Sequence, residues 1–281
     1  MSPMDFYCVL GNPVEHSRSP WIHARFAELT GQPLEYGKRL VPLDGFAGAV
    51  ARLRAEGGRG CNVTVPFKFE AFTLAHERSA RSTLAGACNT LRFDGERIYG
   101  DNTDGFGLVS DIERNAGVAL RGRDVLVVGA GGAAAGVLGP LLDARPARIV
   151  IANRTAGKAE AVVERHRELA RERGVPLGAC GLDAVPGSFA IVVNATAASM
   201  AGAAVPVPAS ALAEGALAYD MMYGPAAQGF LAWARAHGAQ PRDGLGMLVE
   251  QAAESFFVWR GVRPPAAQVL AELRALLAAG A

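Results

Sequence analysis

The chain has 281 residues, half of them hydrophobic and a fifth charged, with a formal net charge of +1. That length is enough for about two domains with their own apolar cores, without metals or disulfides to hold them. The near-zero charge gives no reason to expect nucleic acid or a membrane surface as a partner, and monomer and homodimer both stay open. The four cysteines, Cys8, Cys61, Cys88 and Cys180, make no CxxC pair and match neither zinc nor disulfide spacing. They read as reduced, mostly buried thiols of a cytoplasmic protein.

The first residues lack a basic stretch followed by a long apolar run, so no signal peptide is expected. The bland Ala- and Val-rich segment 192–218 is interrupted by Asn194, Thr196, Ser199, Glu214 and prolines, which excludes a membrane span there.

In chain order, residues 6–10 read as a strand followed by the polar loop GNPVEHSRS. Ser19 as N-cap and Pro20 at the first helical position open a helix to about Leu29, closed by Gly31. Residues 34–41 form a strand, Asp44 caps a helix to about Glu56, and 61–65 form a short strand ended by Pro66, which can begin the next helix. Residues 89–93 and 97–100 make a hairpin around Asp94-Gly95.

From Arg123 the rhythm is regular. Strand DVLVVG, helix 132–142, strand RIVIAN, a charged helix at about 156–173, and strands FAIVVNAT and LAYDMMY follow one another. Near-continuous apolar strands alternating with helices indicate a parallel sheet buried on both faces. Residues 244–260 and 265–279 are two closing helices. The pattern is an α/β N-terminal domain, an inserted α/β nucleotide domain and a helical tail.

The segment VLVVGAGGAAAG places Gly129, Gly131 and Ala134 at the spacing G-x-G-x-x-A between a strand and a helix, the context of a dinucleotide-binding turn. Gly129 permits the tight turn, Gly131 lets backbone approach a pyrophosphate, and small Ala134 and Gly136 let the helix pack on the strands. The helix N-terminus offers free amides and a positive dipole to phosphates. An NAD site carries an acid about 20 residues on. Here the second strand runs into Asn153-Arg154-Thr155, with Lys158 a turn later and no acid. Arg154 can grip a 2′-phosphate with a planar fork, which predicts NADP(H).

Of 28 basic residues only Lys38, Lys68 and Lys158 are lysines, so each is a candidate for a position where arginine is not equivalent, and composition does not choose among the three. With Pro66 at the first helical position, Lys68 would be the third, where a cation opposes the helix dipole. Such an address suits a lysine that shuttles protons, although an ordinary surface lysine fits it as well. Asp104, in GDNTDG, offers a carboxylate that could steady an ammonium; equally, Asp101 and Asp104 could simply cap a helix beginning near Gly105. The five histidines show no metal-ligand spacing and no metal is expected.

Seven motifs in order, GNPVEHSRSP, NVTVPFK, LAGACNT, GDNTDG, GAGGAAAG, NRT and DGLGMLVEQAA, make the chain resemble the shikimate dehydrogenase family over nearly its whole length. The resemblance implies reversible NADPH-dependent reduction of 3-dehydroshikimate to shikimate. It implies a two-domain α/β fold, with a substrate domain (1–103 and 240–281) completed by the C-terminal helices, and a Rossmann-type NADP-binding domain (104–239). Lys68 and Asp104 match the family's catalytic pair. Ser17 and Ser19 match residues that hold the substrate carboxylate, with Tyr223 near it, and Asn62, Thr64, Asn89 and Gln251 match readers of the ring hydroxyls. On the cofactor side the implied residues are Gly129, Ala130, Gly131, Gly132 and Ala133 of the glycine turn, then Asn153, Arg154, Thr155, Lys158, Thr196, Met221, Gly244 and Met247.

Two departures concern the cofactor. Relatives often carry serine and arginine where this chain has Ala134-Ala135, so Arg154 and Lys158 must do more, and NATAAS replaces a serine pair and glycine. A broader quinate/shikimate dehydrogenase using NAD is disfavoured by the missing acid near Asn153. A non-enzymatic NADP-binding regulator on this fold is disfavoured by the presence of both Lys68 and Asp104.

Overall fold

The computed structural model describes residues 4–196 and 207–279. The changed segment NATAAS lies partly outside the described residues, since 197–206 are not among them. The chain divides into two compact units, Met1–Gly107 with Leu248–Ala281, and Leu108–Met247. The sequence suggested breaks at 103/104 and 239/240. The division into compact units falls inside two helices, α5 (Asp104–Ser110) and α9 (Leu245–Arg260), which run on without a loop there.

The first unit is built on a mixed sheet in the order β2-β1-β3-β5-β6-β4. Its strands are β1 (Asp5–Gly11), β2 (Leu34–Leu40), β3 (Gly60–Val63), β4 (Glu77–Arg78), β5 (Thr90–Asp94) and β6 (Arg97–Asp101). β1 runs parallel to β2 and β3, whereas β5 is antiparallel to both β3 and β6. The helices are α1 (Ser19–Thr30), α2 (Phe46–Ala55), α3 (Lys68–Leu74), α4 (Ala80–Ala85) and, from the tail, most of α9 and α10 (Ala266–Ala279). The tail is tied to the start of the chain, because Arg25 donates from Nε and Nη2 to Glu272 at 2.6 and 3.0 Å.

Three helix starts differ from the sequence reading. Arg18 is the N-cap of α1 and Ser19 is already helical; the Ser17 hydroxyl accepts the Ser19 amide at 3.3 Å instead. Gly45 rather than Asp44 caps α2, because a turn closed by Gly45 N–H to Pro42 carbonyl (2.9 Å) sets where the helix begins. Pro66 lies before α3, in a turn closed by Phe67 N–H to Thr64 carbonyl, so Lys68 is the first helical residue and not the third.

The second unit is a wholly parallel sheet in the order β12-β11-β10-β7-β8-β9. Its strands are β7 (Asp124–Val128), β8 (Arg148–Ala152), β9 (Leu177–Cys180), β10 (Phe189–Asn194), β11 (Leu212–Asp220) and β12 (Gln240–Arg242), with helices α6 (Gly132–Asp143), α7 (Ala156–Arg173) and α8 (Gln228–Ala236). Alternation decides the two cores. Val125, Val127, Ile149, Ile151, Ile191 and Val193 face one, while Leu126, Val128, Val150, Ala152 and Val192 face the other. Both edge strands escaped the sequence reading: β9 is only half-buried LGAC, and β12 is a short QPR whose proline is tolerated at an edge.

A buried ion pair closes this unit. Asp111, in a π-helical turn (Asp111–Asn115), receives Arg242 Nε and Nη2 at 2.9 and 2.6 Å and the Tyr219 hydroxyl at 2.7 Å. Gly246, in the first turn of α9, packs its Cα directly on that carboxylate. Among the described residues, no helix is long and apolar enough to cross a membrane.

In the first unit, His23 of α1 is fully buried and stacks on Tyr36 with 4.2 Å between ring centroids. Burial drives its pKa down to about 3. The imidazole is neutral in the folded protein, while the unfolded chain takes up the proton below about pH 6.5, so stability falls as pH drops from there toward the folded value. By pH 5 the loss is about 2 kcal/mol. Denaturant midpoints measured from pH 7.5 to 5 should therefore slope downward, and a His23→Phe variant should flatten that slope. An equal slope in both proteins would remove His23 as the cause.

Candidate active site

Lys68 sits at the N-terminus of α3 and Asp104 at the first position of α5, where a carboxylate suits the helix dipole. Their side chains meet, with Lys68 Nζ donating to Asp104 Oδ2 at 2.6 Å, and are 20% and 8% exposed. Water therefore reaches the ammonium but scarcely the carboxylate. The other oxygen, Oδ1, accepts Asn89 Nδ2 at 2.8 Å.

The Asn89 amide has only one workable orientation. Its oxygen accepts the Thr103 backbone N–H at 2.9 Å, a group that can only donate, so the NH2 must face the other way. There it is shared among Asp104, Thr103 Oγ1 (2.8 Å) and Gln251 Oε1 (3.2 Å). Gln251 arrives from α9 in the tail, 162 residues away in sequence. Its Nε2 donates to the Leu248 carbonyl at 2.8 Å, which leaves a second amide hydrogen for a ligand.

Behind this layer lies a set of buried hydroxyls that the sequence reading missed. Ser255, one turn beyond Gln251, lies within 3.1 Å of Thr103 Oγ1, 2.8 Å of Thr90 Oγ1 and 3.0 Å of Asn62 Nδ2. Asn62 also accepts the Tyr36 hydroxyl at 2.7 Å. Its amide is thus deeply engaged within the fold. The i,i+4 spacing of Gln251 and Ser255 on one helix face was the available signal. Asp101 does not cap α5: the Asp104 backbone N–H goes to Asn102 Oδ1 at 3.2 Å, and Asp101 holds Arg81 instead.

Of the remaining residues matched to substrate binding, Ser17, Ser19 and Thr64 lie in the first unit with Lys68, Ser19 buried and the other two half-buried. Tyr223, half-buried beyond β11, belongs to the second unit. The thiols of Cys8 and Cys88 are pushed up to about 12 by burial and that of Cys61 is raised well above its ordinary value, so all three stay protonated and unreactive.

In the second unit Gly129 follows β7 with φ 112°, a conformation reserved for glycine, and a Cβ there would stand 3.1 Å from the Ala195 carbonyl and the Thr196 methyl. Gly131 precedes α6, and a Cβ on it would meet nothing within 4 Å, so its backbone faces open space. Ala130, Gly132 and Ala133 frame the same turn, and Ala134 is buried in the core beneath. Asn153 donates to the Thr155 carbonyl at 2.9 Å and orders the loop before α7, while Arg154, Thr155 and Lys158 are exposed. Thr196 is tied to Asn194 Oδ1, and Met221 N–H to the Asn194 carbonyl. Gly244 packs on the Met221 carbonyl, where a Cβ would come within 2.3 Å, and Met247 is buried in the core.

A glycine turn opening a parallel sheet in one unit, and a lysine–aspartate pair braced by amides and hydroxyls in the other, define a dinucleotide-dependent dehydrogenase. Three family models match the chain: a shikimate dehydrogenase substrate binding domain at residues 9–91, a shikimate / quinate 5-dehydrogenase model at 111–201, and a shikimate 5'-dehydrogenase C-terminal domain at 244–274. A shikimate dehydrogenase (NADP(+)) of Acidovorax sp. (strain JS42) is 65% identical over 99% of this chain and 98% of its own length. Among solved structures, an Ael1 enzyme from Pseudomonas putida is 49% identical with a TM-score of 0.88, the match covering 96% of this chain and 98% of that one. Shikimate 5-dehydrogenase from Thermus thermophilus, in complex with NADP(H) and shikimate, is 31% identical with a TM-score of 0.82, over 96% and 99% of the two chains. The chain belongs to the shikimate dehydrogenase family.

Proposed function

We propose that this enzyme reversibly reduces 3-dehydroshikimate to shikimate with NADPH, as a step of aromatic amino-acid biosynthesis, and that Lys68 and Asp104 carry the proton transfer. The observation that carries the reading is the 2.6 Å contact between Lys68 Nζ and Asp104 Oδ2, with Asp104 braced from behind by Asn89. When bound, NADPH would supply the hydride that reduces the carbonyl carbon. Lys68 delivers the proton to the carbonyl oxygen in reduction and receives it in oxidation. Asp104 holds the ammonium in place and accepts a hydrogen bond from the reacting hydroxyl. Ser17, Ser19 and Tyr223 receive the substrate carboxylate, Thr64, Asn89 and Gln251 face the ring hydroxyls, and Asn62, matched to the same role, is held by Tyr36, Thr90 and Ser255 and supports them from behind.

The chain's own residues fit the cofactor. The turn at Gly129 and the open backbone at Gly131 suit a pyrophosphate, and exposed Arg154 and Lys158 suit a 2′-phosphate. We place the substrate role on residues 1–103 with 240–281 and the NADP role on 104–239. The same reading makes the protein a cytoplasmic monomer or homodimer with no nucleic-acid or membrane partner, consistent with four free cysteines.

The decisive assay mixes the protein with shikimate or quinate and with NADP+ or NAD+, and follows reduced nicotinamide by absorbance. Fast turnover with shikimate and NADP+ alone is expected. A preference for quinate or NAD+ would transfer the enzyme to the broader quinate/shikimate class, and no turnover from folded, NADP+-binding protein would favour a regulator. Gln251→Ala should raise the KM for shikimate by roughly 10- to 100-fold, the effect of losing one well-placed hydrogen bond in a buried site. An unchanged KM would take Gln251 out of substrate binding.

A further inference from the structure

From the geometry we infer that Arg81, which touches none of the reacting groups, is a positioning residue for Asp104, and that Glu254, held by both Arg81 and Arg263, is a positioning residue for the helix that carries Gln251. The inference rests on the reductase reading above. Arg81 lies on α4 and grips Asp101 bidentately, Nε to Oδ1 and Nη2 to Oδ2, both at 2.7 Å. The same Nη2 reaches Glu254 Oε1 on α9 at 3.0 Å. Both carboxylates are nearly inaccessible, with side chains 4% and 8% exposed, so the guanidinium is a shared counter-ion for two buried acids. Such a bridge holds geometry tightly, because neither acid has much water to turn to.

Each end of the bridge leads to a different part of the site. Asp101 Oδ1 also accepts the Asn102 backbone N–H at 2.7 Å. Asn102 in turn accepts the Asp104 N–H at 3.2 Å and donates to the Ala87 carbonyl at 3.0 Å. This end fixes the backbone from which Asp104 projects toward Lys68. Glu254 lies three residues after Gln251 on the same helix, so the other end fixes the helix that presents the Gln251 amide. Arg263 holds Glu254 Oε2 at 2.6 Å and would keep that carboxylate paired if Arg81 were altered.

The two ends therefore make separable predictions. Arg81→Lys keeps the charge but lacks the planar fork needed for three contacts at once. It should lower kcat by about tenfold or more through displacement of Asp104, with the KM for shikimate within about threefold of the parent. Glu254→Gln should do the reverse, raising KM roughly threefold or more with kcat nearly held. Both are measured at 25 °C with shikimate and NADP+, with circular dichroism and thermal melts alongside. A role in stability alone predicts a lower melting temperature with kcat and KM unchanged in both variants, and that result would overturn the inference. So would a parallel loss of kcat and KM in the two. If Arg81→Lys does not fold, Glu254→Gln decides alone, an unchanged KM counting against. Parental turnover tests the reductase reading separately, since the inference is read only from ratios to the parent.

Discussion

Replacing Lys68 with alanine is expected to lower kcat by roughly 10²- to 10⁴-fold, the range of a positioned proton-transfer group. The loss falls on kcat because the ammonium is needed where charge develops on the carbonyl oxygen, while the groups proposed to bind the ring and carboxylate stay in place. The fold should survive. Lys68 is one-fifth exposed, so water can enter beside Asp104 once the ammonium is gone, and Asn89 still donates to the other carboxylate oxygen. Arginine should not rescue the variant, because a guanidinium cannot give up its proton in the working pH range. Steady-state kinetics with shikimate and NADP+ check this, and a kcat within tenfold of the parent would remove Lys68 from the chemistry.

The largest expected effect on stability comes from Gly246→Ala. An added Cβ would stand 1.8 Å from Asp111 Oδ1 and 2.2 Å from its Cγ, far inside contact distance. The carboxylate cannot swing aside cheaply. It is fully buried, bound by Arg242 Nε and Nη2 and the Tyr219 hydroxyl, and further tied to Asn115 Nδ2 at 3.0 Å. Either α9 shifts or a buried ion pair breaks, and a broken pair of this kind costs about 3–5 kcal/mol. Chemical denaturation followed by circular dichroism should register that loss. A cost under about 1 kcal/mol would mean that the helix start yields freely.

Both predictions rest on residues whose legibility in the sequence differed sharply. The glycine turn stood out because its meaning is local, glycines between a strand and a helix, whereas Lys68 and Asp104 were ambiguous on local grounds and were singled out by the motifs NVTVPFK and GDNTDG. The parallel sheet was equally legible, since burial on both faces writes itself as unbroken Val, Ile and Leu. The exact start of α3 was not, because a turn between Thr64 and Phe67 displaced it by two residues. Nor were the buried polar pairs within each unit. Ser255 pairs with Asn62 across 193 residues, Arg81 with Glu254 across 173, and Arg242 with Asp111 across 131. No spacing rule connects such positions. Only the fold brings them together.

The order of units along the chain also has a consequence for biosynthesis on the ribosome. Residues 108–247 are contiguous, whereas the unit carrying Lys68 and Asp104 lacks Gln251, Ser255 and Glu254 until 248–281 have been made. The nucleotide-turn unit can therefore fold as soon as it emerges, while the other must wait for its last helices, with Asn62 and Thr90 lacking Ser255 and Arg81 lacking Glu254 in the meantime. A chain truncated after residue 247 would keep every strand of the parallel sheet but leave the unit carrying Lys68 and Asp104 without Gln251, Ser255 and Glu254.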